Sequence, residues 1–223
     1  MVEGDRVIVR VGLFGGTFNP VHWGHLRAAE EIRERHNLER VIFIPTNISP
    51  HKASRELIAA HHRLHMLDRA IKNNPYFVTS DVELQRCGES YSVETISYFR
   101  QTAQEELTPF FILGLDAFLE INTWKNFREL FSLCNFIVMT RPGYEVSKTE
   151  QLIPSEIMPD FSYKPDEKRF IHSSQFSTYI TEITALDISS HAIRTHIKNS
   201  RSVKYLVPEA VETYIEEHNF YRL

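Results

Sequence analysis

The chain has 223 residues, 42% of them hydrophobic and 24% charged, with a formal net charge of −4. That length supports one sizeable core and a single domain over 1–223, and the negative balance gives no general reason to expect a nucleic-acid partner. Two cysteines in unrelated contexts, no apolar run near the roughly 18 residues of a membrane span and a start unlike a signal peptide imply a cytoplasmic protein with reduced thiols and no membrane partner.

Taken in chain order, the apolar run 7–14 predicts a strand. Residues 26–36 predict a helix, with Leu26, Ala29 and Ile32 on successive turns, and 41–44 a short buried strand ended by Pro45. A second helix is expected over 63–73, with Leu64, Leu67, Ala70 and Ile71 on one face and Asn74-Pro75 as its stop. Residues 76–84 alternate like a strand, and 92–104 read as a helix. The run 110–113 predicts a strand leading into a helical stretch, and 136–140 another closed by Arg141-Pro142-Gly143. The stretch 145–168, with Pro154, Pro159 and Pro165, reads as loop and short irregular helix. A strand over 179–184 precedes a small C-terminal helical part (about 185–223), with helices over 190–198 and 208–218, the latter opened by Pro208. Strands alternating with helices predict an α/β fold with a doubly wound, mostly parallel sheet that binds ligands at the carboxyl ends of its strands.

The densest signal is the stretch 12–26. There Gly15, Gly16, Thr17 and Phe18 separate the first strand from a helix whose mouth carries His22 and His25. A strand, a glycine-rich bend and a helix N-terminus present backbone N–H groups to a phosphate. The same string also suits a bare tight turn, and a zinc site would need further ligands that are not nearby. Later loops and helix starts add candidates. Asn47 and Lys52 follow the second strand and suit a phosphate or carboxylate; a Pro-punctuated loop with a solvated lysine explains them too. Gly114 and Asp116 leave the fourth strand, where Asp116 suits either a ribose contact or a helix cap. Trp124 beside Lys125 suits a flat heteroaromatic ring or partial burial, and Arg141 an anion or solvent. Ile188, Ser189, Ser190 and Arg194 open a helix with hydroxyls and a guanidinium, a second anion site or an ordinary capped start. The cluster His61-His62-Arg63-Leu64-His65 reads as a solvated helix start, since a zincin's glutamate is missing.

The string GGTFNPVHWGHL resembles the signature of the HxGH nucleotidyltransferases, and the later motifs resemble the bacterial nicotinate-nucleotide adenylyltransferases. Those motifs are Ser49-Pro50-His51-Lys52, Tyr91-Ser92-Val93-Glu94-Thr95, Gly114 and Asp116 with Trp124, Arg141-Pro142-Gly143, and Ile188-Ser189 with Ile193-Arg194. They run in the family's order over about residues 8–220. One variation is Asn19, where many relatives have Asp; an amide keeps the turn-forming role.

The resemblance implies a Rossmann-like nucleotidyltransferase fold. It also implies transfer of the adenylyl group of ATP to nicotinate mononucleotide, with Mg2+ delivered on ATP; no protein carboxylate is assigned as its ligand. An attacking phosphate is already ionised, so no general base and no covalent intermediate are required. His22, His25 and Arg194 are the expected catalytic residues. Gly15, Gly16, Thr17, Phe18, Gly114, Asp116, Ile188, Ser189 and Ser190 join them around ATP, while Asn47, Lys52, Thr95, Trp124, Lys125 and Arg141 are expected around the mononucleotide. Nicotinamide mononucleotide or phosphopantetheine as acceptor, or a non-catalytic nucleotide sensor, are the alternatives. The last conflicts with an intact set of His22, His25 and Arg194, and a homo-oligomer is compatible with every reading.

Overall fold

The computed structural model describes residues 9–48, 57–86, 88–103, 106–143 and 152–222. Its framework is one eight-stranded sheet. Strands β1 (Val9–Gly16), β2 (Arg40–Pro45), β3 (Phe77–Thr79), β4 (Leu107–Gly114) and β5 (Asn135–Thr140) are joined through helices α1 (Trp23–Arg35), α2 (Ala60–Ile71), α3 (Val82–Gln85), α4 (Ser92–Thr102), α5 (Leu115–Leu119) and α6 (Phe127–Leu130). Strands β6 (Phe161–Lys164), β7 (Arg169–His172) and β8 (Ser177–Glu182) precede helices α7 (Ser190–Lys198) and α8 (Glu209–Glu217). The spatial order is β3-β2-β1-β4-β5-β8-β7-β6. All pairs from β3 to β8 are parallel, and β7 and β6 add an antiparallel edge.

Period-two alternation divides the apolar side chains between two cores. Phe43, Phe110, Ile112 and Ile137 point to one face, where they meet Ala29 and Ile32 of α1, Leu67 of α2, Ile193 of α7 and Ile215 of α8. Their neighbours Ile42, Ile44, Phe111 and Val138 point to the other, against Val82, Ile96, Phe118 and Leu130. Helices therefore cover both faces, as the strand–helix alternation predicts. The chain crosses from the β3 side back to β4 beside β1, so a crevice opens at the carboxyl ends of β1 and β4.

Two expectations are corrected. Residues 76–84 do not continue as a strand. Only Phe77–Thr79 pair with β2, and Val82–Gln85 form a single helical turn begun at Asp81, so the Val82/Leu84 alternation belongs to a different backbone. Within 145–168, residues 161–164 are strand β6, paired antiparallel with β7 from Phe161 opposite His172 to Lys164 opposite Arg169. Proline on either side, at 159 and 165, bounds that strand without entering it.

Candidate active site

The bend after β1 is held open by glycine at the positions that need it. A Cβ on Gly16 would lie 2.9 Å from the Phe18 ring, and one on Gly24 would lie 3.0 Å from Nδ1 of His22. Phe18 itself sits in the left-handed region (φ 46°) yet is only 3% exposed. That backbone costs roughly 1–2 kcal/mol, and burying a Phe ring contributes roughly 1.5–3 kcal/mol, so burial holds the bend. The Phe18 ring meets Phe14, Phe43 and, edge-on at 5.1 Å, His25.

His22 caps α1, and its backbone N–H donates to Nδ1 of His25 at 3.3 Å. With Nδ1 accepting, a neutral His25 carries its proton on Nε2 and presents a donor on the opposite side of the ring. The two imidazoles stack with centroids 3.7 Å apart. Burial lowers the His22 pKa to about 4, and burial followed by the His22 charge lowers that of His25 well below the usual imidazole value. Both rings are therefore neutral at pH 7.

Helix α7 docks on the same bend. Ser189 caps it, its Oγ accepting from the Ala192 N–H at 3.1 Å. The Ser190 hydroxyl donates to the Pro20 carbonyl at 2.8 Å, and Arg194 Nη1 to the Asn19 carbonyl at 2.9 Å. The Asn19 Oδ1 accepts at 2.7 Å from the Tyr221 hydroxyl, a buried contact across 202 residues. From the other side comes Arg63, 1% exposed, whose guanidinium donates to Thr17 O (2.7 Å), Ile58 O (3.2 Å) and Asn47 O (3.3 Å). One buried cation thus ties the β1 and β2 loops to the start of α2.

Two adjoining cavities open at the carboxyl ends of β1 and β4. The first, about 480 Å3, is walled by Phe18, His25, Ser190, His191 and Arg194. The second, about 460 Å3, is walled by Glu83, Tyr91, Phe111, Asp116, Trp124 and Lys125. Phe14, Gly15, Gly16, Thr17, Thr46 and Gly114 belong to both. The first is thus a donor-rich chamber, the second an aromatic one, and the glycine bend is the wall between them.

A family model described as cytidylyltransferase-like matches residues 13–196. The chain is 44% identical over 215 residues to the probable nicotinate-nucleotide adenylyltransferase of Geotalea daltonii, covering 96% of this chain and 98% of the relative. Over 213 residues it is 43% identical to the protein of that name from Geobacter sulfurreducens, with the same coverage. The chain belongs to the cytidylyltransferase-like family, in its nicotinate-nucleotide adenylyltransferase branch. Its fold matches that of the Plasmodium falciparum nicotinic acid mononucleotide adenylyltransferase complexed with NaAD, at a TM-score of 0.71 and 18% identity over 96% of this chain and 97% of that one. The same Plasmodium enzyme complexed with APC gives 0.67.

In this cytidylyltransferase-like chain, Gly15, Gly16, Thr17, Phe18, His25, Gly114, Ser190 and Arg194 meet around the first cavity, and Asp116, Trp124 and Lys125 around the second. Asp116 stands on the aromatic side, away from the guanidinium and imidazole with which the sequence groups it. His22 is 5% exposed and lies behind His25, so it backs that ring. Ile188 supplies backbone, its carbonyl approaching Gly24. Ser189 and Ser190 spend their hydroxyls on the helix cap and on Pro20, leaving the Ser190 and His191 N–H groups of α7 as the donors there. Asn47 faces the first cavity, and its Nδ2 donates to the Arg86 carbonyl at 3.4 Å. Lys125 pairs with Glu94 at 2.8 Å on the rim.

Two expected mononucleotide contacts do not reach the cavity. Thr95 is 1% exposed, its hydroxyl donating to Glu83 behind the wall. Arg141 is exposed at the end of β5, outside both linings. Lys52, with Ser49, Pro50 and His51, lies outside the described residues. Glu83, Arg63, His191 and Tyr221 are the additions. His191 follows Ser190 at the α7 start and was legible from that position. Arg63 sat in a cluster read as solvated, where His62 and His65 meet the Tyr214 hydroxyl.

Proposed function

We propose that this chain transfers the adenylyl group of ATP to nicotinate mononucleotide, giving nicotinate adenine dinucleotide and pyrophosphate, a cytoplasmic step of NAD synthesis. The observation that carries this reading is the wall shared by the two cavities. A triphosphate among His25, Arg194 and the N-terminus of α7, and a pyridine ring beside Trp124, would bring the mononucleotide phosphate to the ATP α-phosphate at Gly15–Thr17.

The chemistry is a single displacement. An oxygen of the mononucleotide phosphate forms a bond to the α-phosphorus as the bond from that phosphorus to the bridging oxygen of pyrophosphate breaks. The nucleophile is already ionised, so the protein aligns two anions and offsets charge. The His25 Nε2–H donates toward the α-phosphate, held in register by the His22 ring and backbone. The planar Arg194 fork and the Ser190 and His191 N–H groups hold the leaving pyrophosphate. Among the described residues no three His, Cys, Asp or Glu side chains gather to hold a metal ion. Magnesium would enter with the ATP substrate and offset charge on its phosphates. No helix among the described residues is long and apolar enough to cross a membrane.

The test is to incubate the purified chain with ATP, magnesium and nicotinate mononucleotide and to quantify dinucleotide and pyrophosphate. Equal amounts of the two support the proposal; ATP hydrolysis to AMP without dinucleotide, or no turnover, overturns it.

A further inference from the structure

Arg63 has no part in the mechanism above, is 1% exposed and belongs to the lining of neither cavity. Burying a charge is costly, so its placement asks for a reason beyond packing. The guanidinium donates to three backbone carbonyls from three segments: Thr17 O at 2.7 Å in the glycine bend, Ile58 O at 3.2 Å before α2, and Asn47 O at 3.3 Å after β2. The shortest of these bonds goes to the bend, and there it fixes a direction. A trans peptide is planar, so its carbonyl and its N–H point opposite ways. With the Thr17 carbonyl turned back to the buried Arg63, the Phe18 N–H of the same peptide faces the other side, where Thr17 and Phe18 wall the first cavity. The preceding peptide is fixed as well, its Gly16 carbonyl accepting from the Thr46 N–H at 2.9 Å. Among the described residues neither the Thr17 N–H nor the Phe18 N–H has a hydrogen-bond partner. Phe18 is left-handed (φ 46°), and a turn that gathers successive N–H groups in this way is a concave seat for an anion.

We propose that Arg63 is a positioning residue for adenylyl transfer: by holding the Thr17 carbonyl behind the bend, it aims the Phe18 N–H at the α-phosphate of ATP. This rests on the reading that places the α-phosphate at Gly15–Thr17. Without the guanidinium the peptide is free to turn, and a carbonyl turned into the cavity sets partial negative charge against the phosphate where a donor stood. The planar fork matters because one rigid group meets three carbonyls at once. An ammonium on a flexible stem keeps the charge but not that geometry.

The experiment compares the wild-type chain with Arg63→Met, which fills the space without a donor, and Arg63→Lys, which keeps the charge. A wild-type chain that fails to adenylylate nicotinate mononucleotide defeats the parent reading rather than this one. Where it does, kcat should fall about 100- to 1000-fold in Arg63→Met, the scale of one donor lost at developing charge, and Arg63→Lys should lie between the two. Substrate stereochemistry separates aim from mere support. Sulfur accepts a hydrogen bond poorly, so a donor aimed at one non-bridging oxygen disfavours the diastereomer of α-thio-ATP that carries sulfur there. The ratio of kcat/KM for the two diastereomers should change at least about fivefold in Arg63→Met, since a hydrogen bond to a charged group is worth about tenfold or more. It should move in the same direction in Arg63→Lys, because His25 and magnesium act alike in all three chains. A lowered Tm with kcat and this ratio unmoved would make Arg63 a strut between loops and overturn the proposal. Amide-resolved NMR of the wild-type chain titrated with α,β-methylene-ATP is a reading that needs no folded variant. A downfield shift of the Phe18 amide proton supports the proposal, and an unmoved Phe18 amide overturns it.

Discussion

Removing one hydroxyl at the far end of the chain should weaken ATP binding. Tyr221→Phe deletes the donor to Asn19 Oδ1, a 2.7 Å bond between buried groups, while keeping the ring that packs in the first core. Burial raises the Tyr221 pKa, against the nearby Arg194 and Arg63 charges, so the phenol is a donor throughout the neutral range. Withdrawing a donor from a buried acceptor costs about 1–3 kcal/mol. For a chain of this size each kcal/mol lowers Tm by about 2–4 °C, so a drop of about 2–12 °C is expected. The same Asn19 offers its carbonyl to Arg194. Loosening Asn19 therefore loosens the guanidinium, and the KM for ATP should rise severalfold while that for the mononucleotide holds. Thermal unfolding by circular dichroism and steady-state kinetics read both effects. A variant with unchanged Tm and unchanged KM for ATP would refute the idea that the C-terminus secures the ATP bend.

His25→Ala removes one donor aimed at developing charge and should lower kcat by about 100- to 1000-fold; wild-type turnover would exclude that role. Trp124, which stands edge-on to Phe111 at 6.1 Å, should on change to Ala raise the KM for the mononucleotide by about 2- to 12-fold, the equivalent of about 0.5–1.5 kcal/mol of stacking, and spare ATP; equal effects on both substrates would count against it. Stability should fall with acid. Burial holds His22, and burial with the Arg10 and Arg35 charges holds His36, at a folded pKa of about 4. The unfolded chain takes up these protons as pH drops through about 6.5 and the native chain does not, so the loss runs from about pH 6.5 to about pH 4 and reaches about 3 kcal/mol for each group. Urea midpoints at pH 7 and pH 5 measure it, and equal midpoints would contradict the burial argument.

Much of this arrangement is legible in the sequence because it is local. The Gly15-Gly16 bend, the Ser189 cap and the strand–helix alternation each depend on residues a few positions apart, and each appears where its chemistry requires. The rest depends on distance in space. Arg63 sits in a histidine-rich helix start that looks solvated, and only folding brings the Thr17, Asn47 and Ile58 carbonyls to its guanidinium. The Tyr221 contact with Asn19 closes over the whole chain. Glu83 was hidden by an alternation of Val82 and Leu84 that imitates a strand, although Ser80-Asp81 ahead of it is a helix-start signal. The β6 strand is hard to see for a different reason: a four-residue strand bounded by prolines gives too short a pattern to tell from a loop.

The central claim, direct transfer between two anions held on either side of the glycine bend, has a stereochemical signature at the α-phosphorus. Turnover of ATP carrying a single sulfur of known configuration on that phosphorus, with nicotinate mononucleotide as acceptor, reads it from the product. One in-line displacement predicts inversion. Retention would require two displacements through an adenylylated protein side chain and would contradict the account.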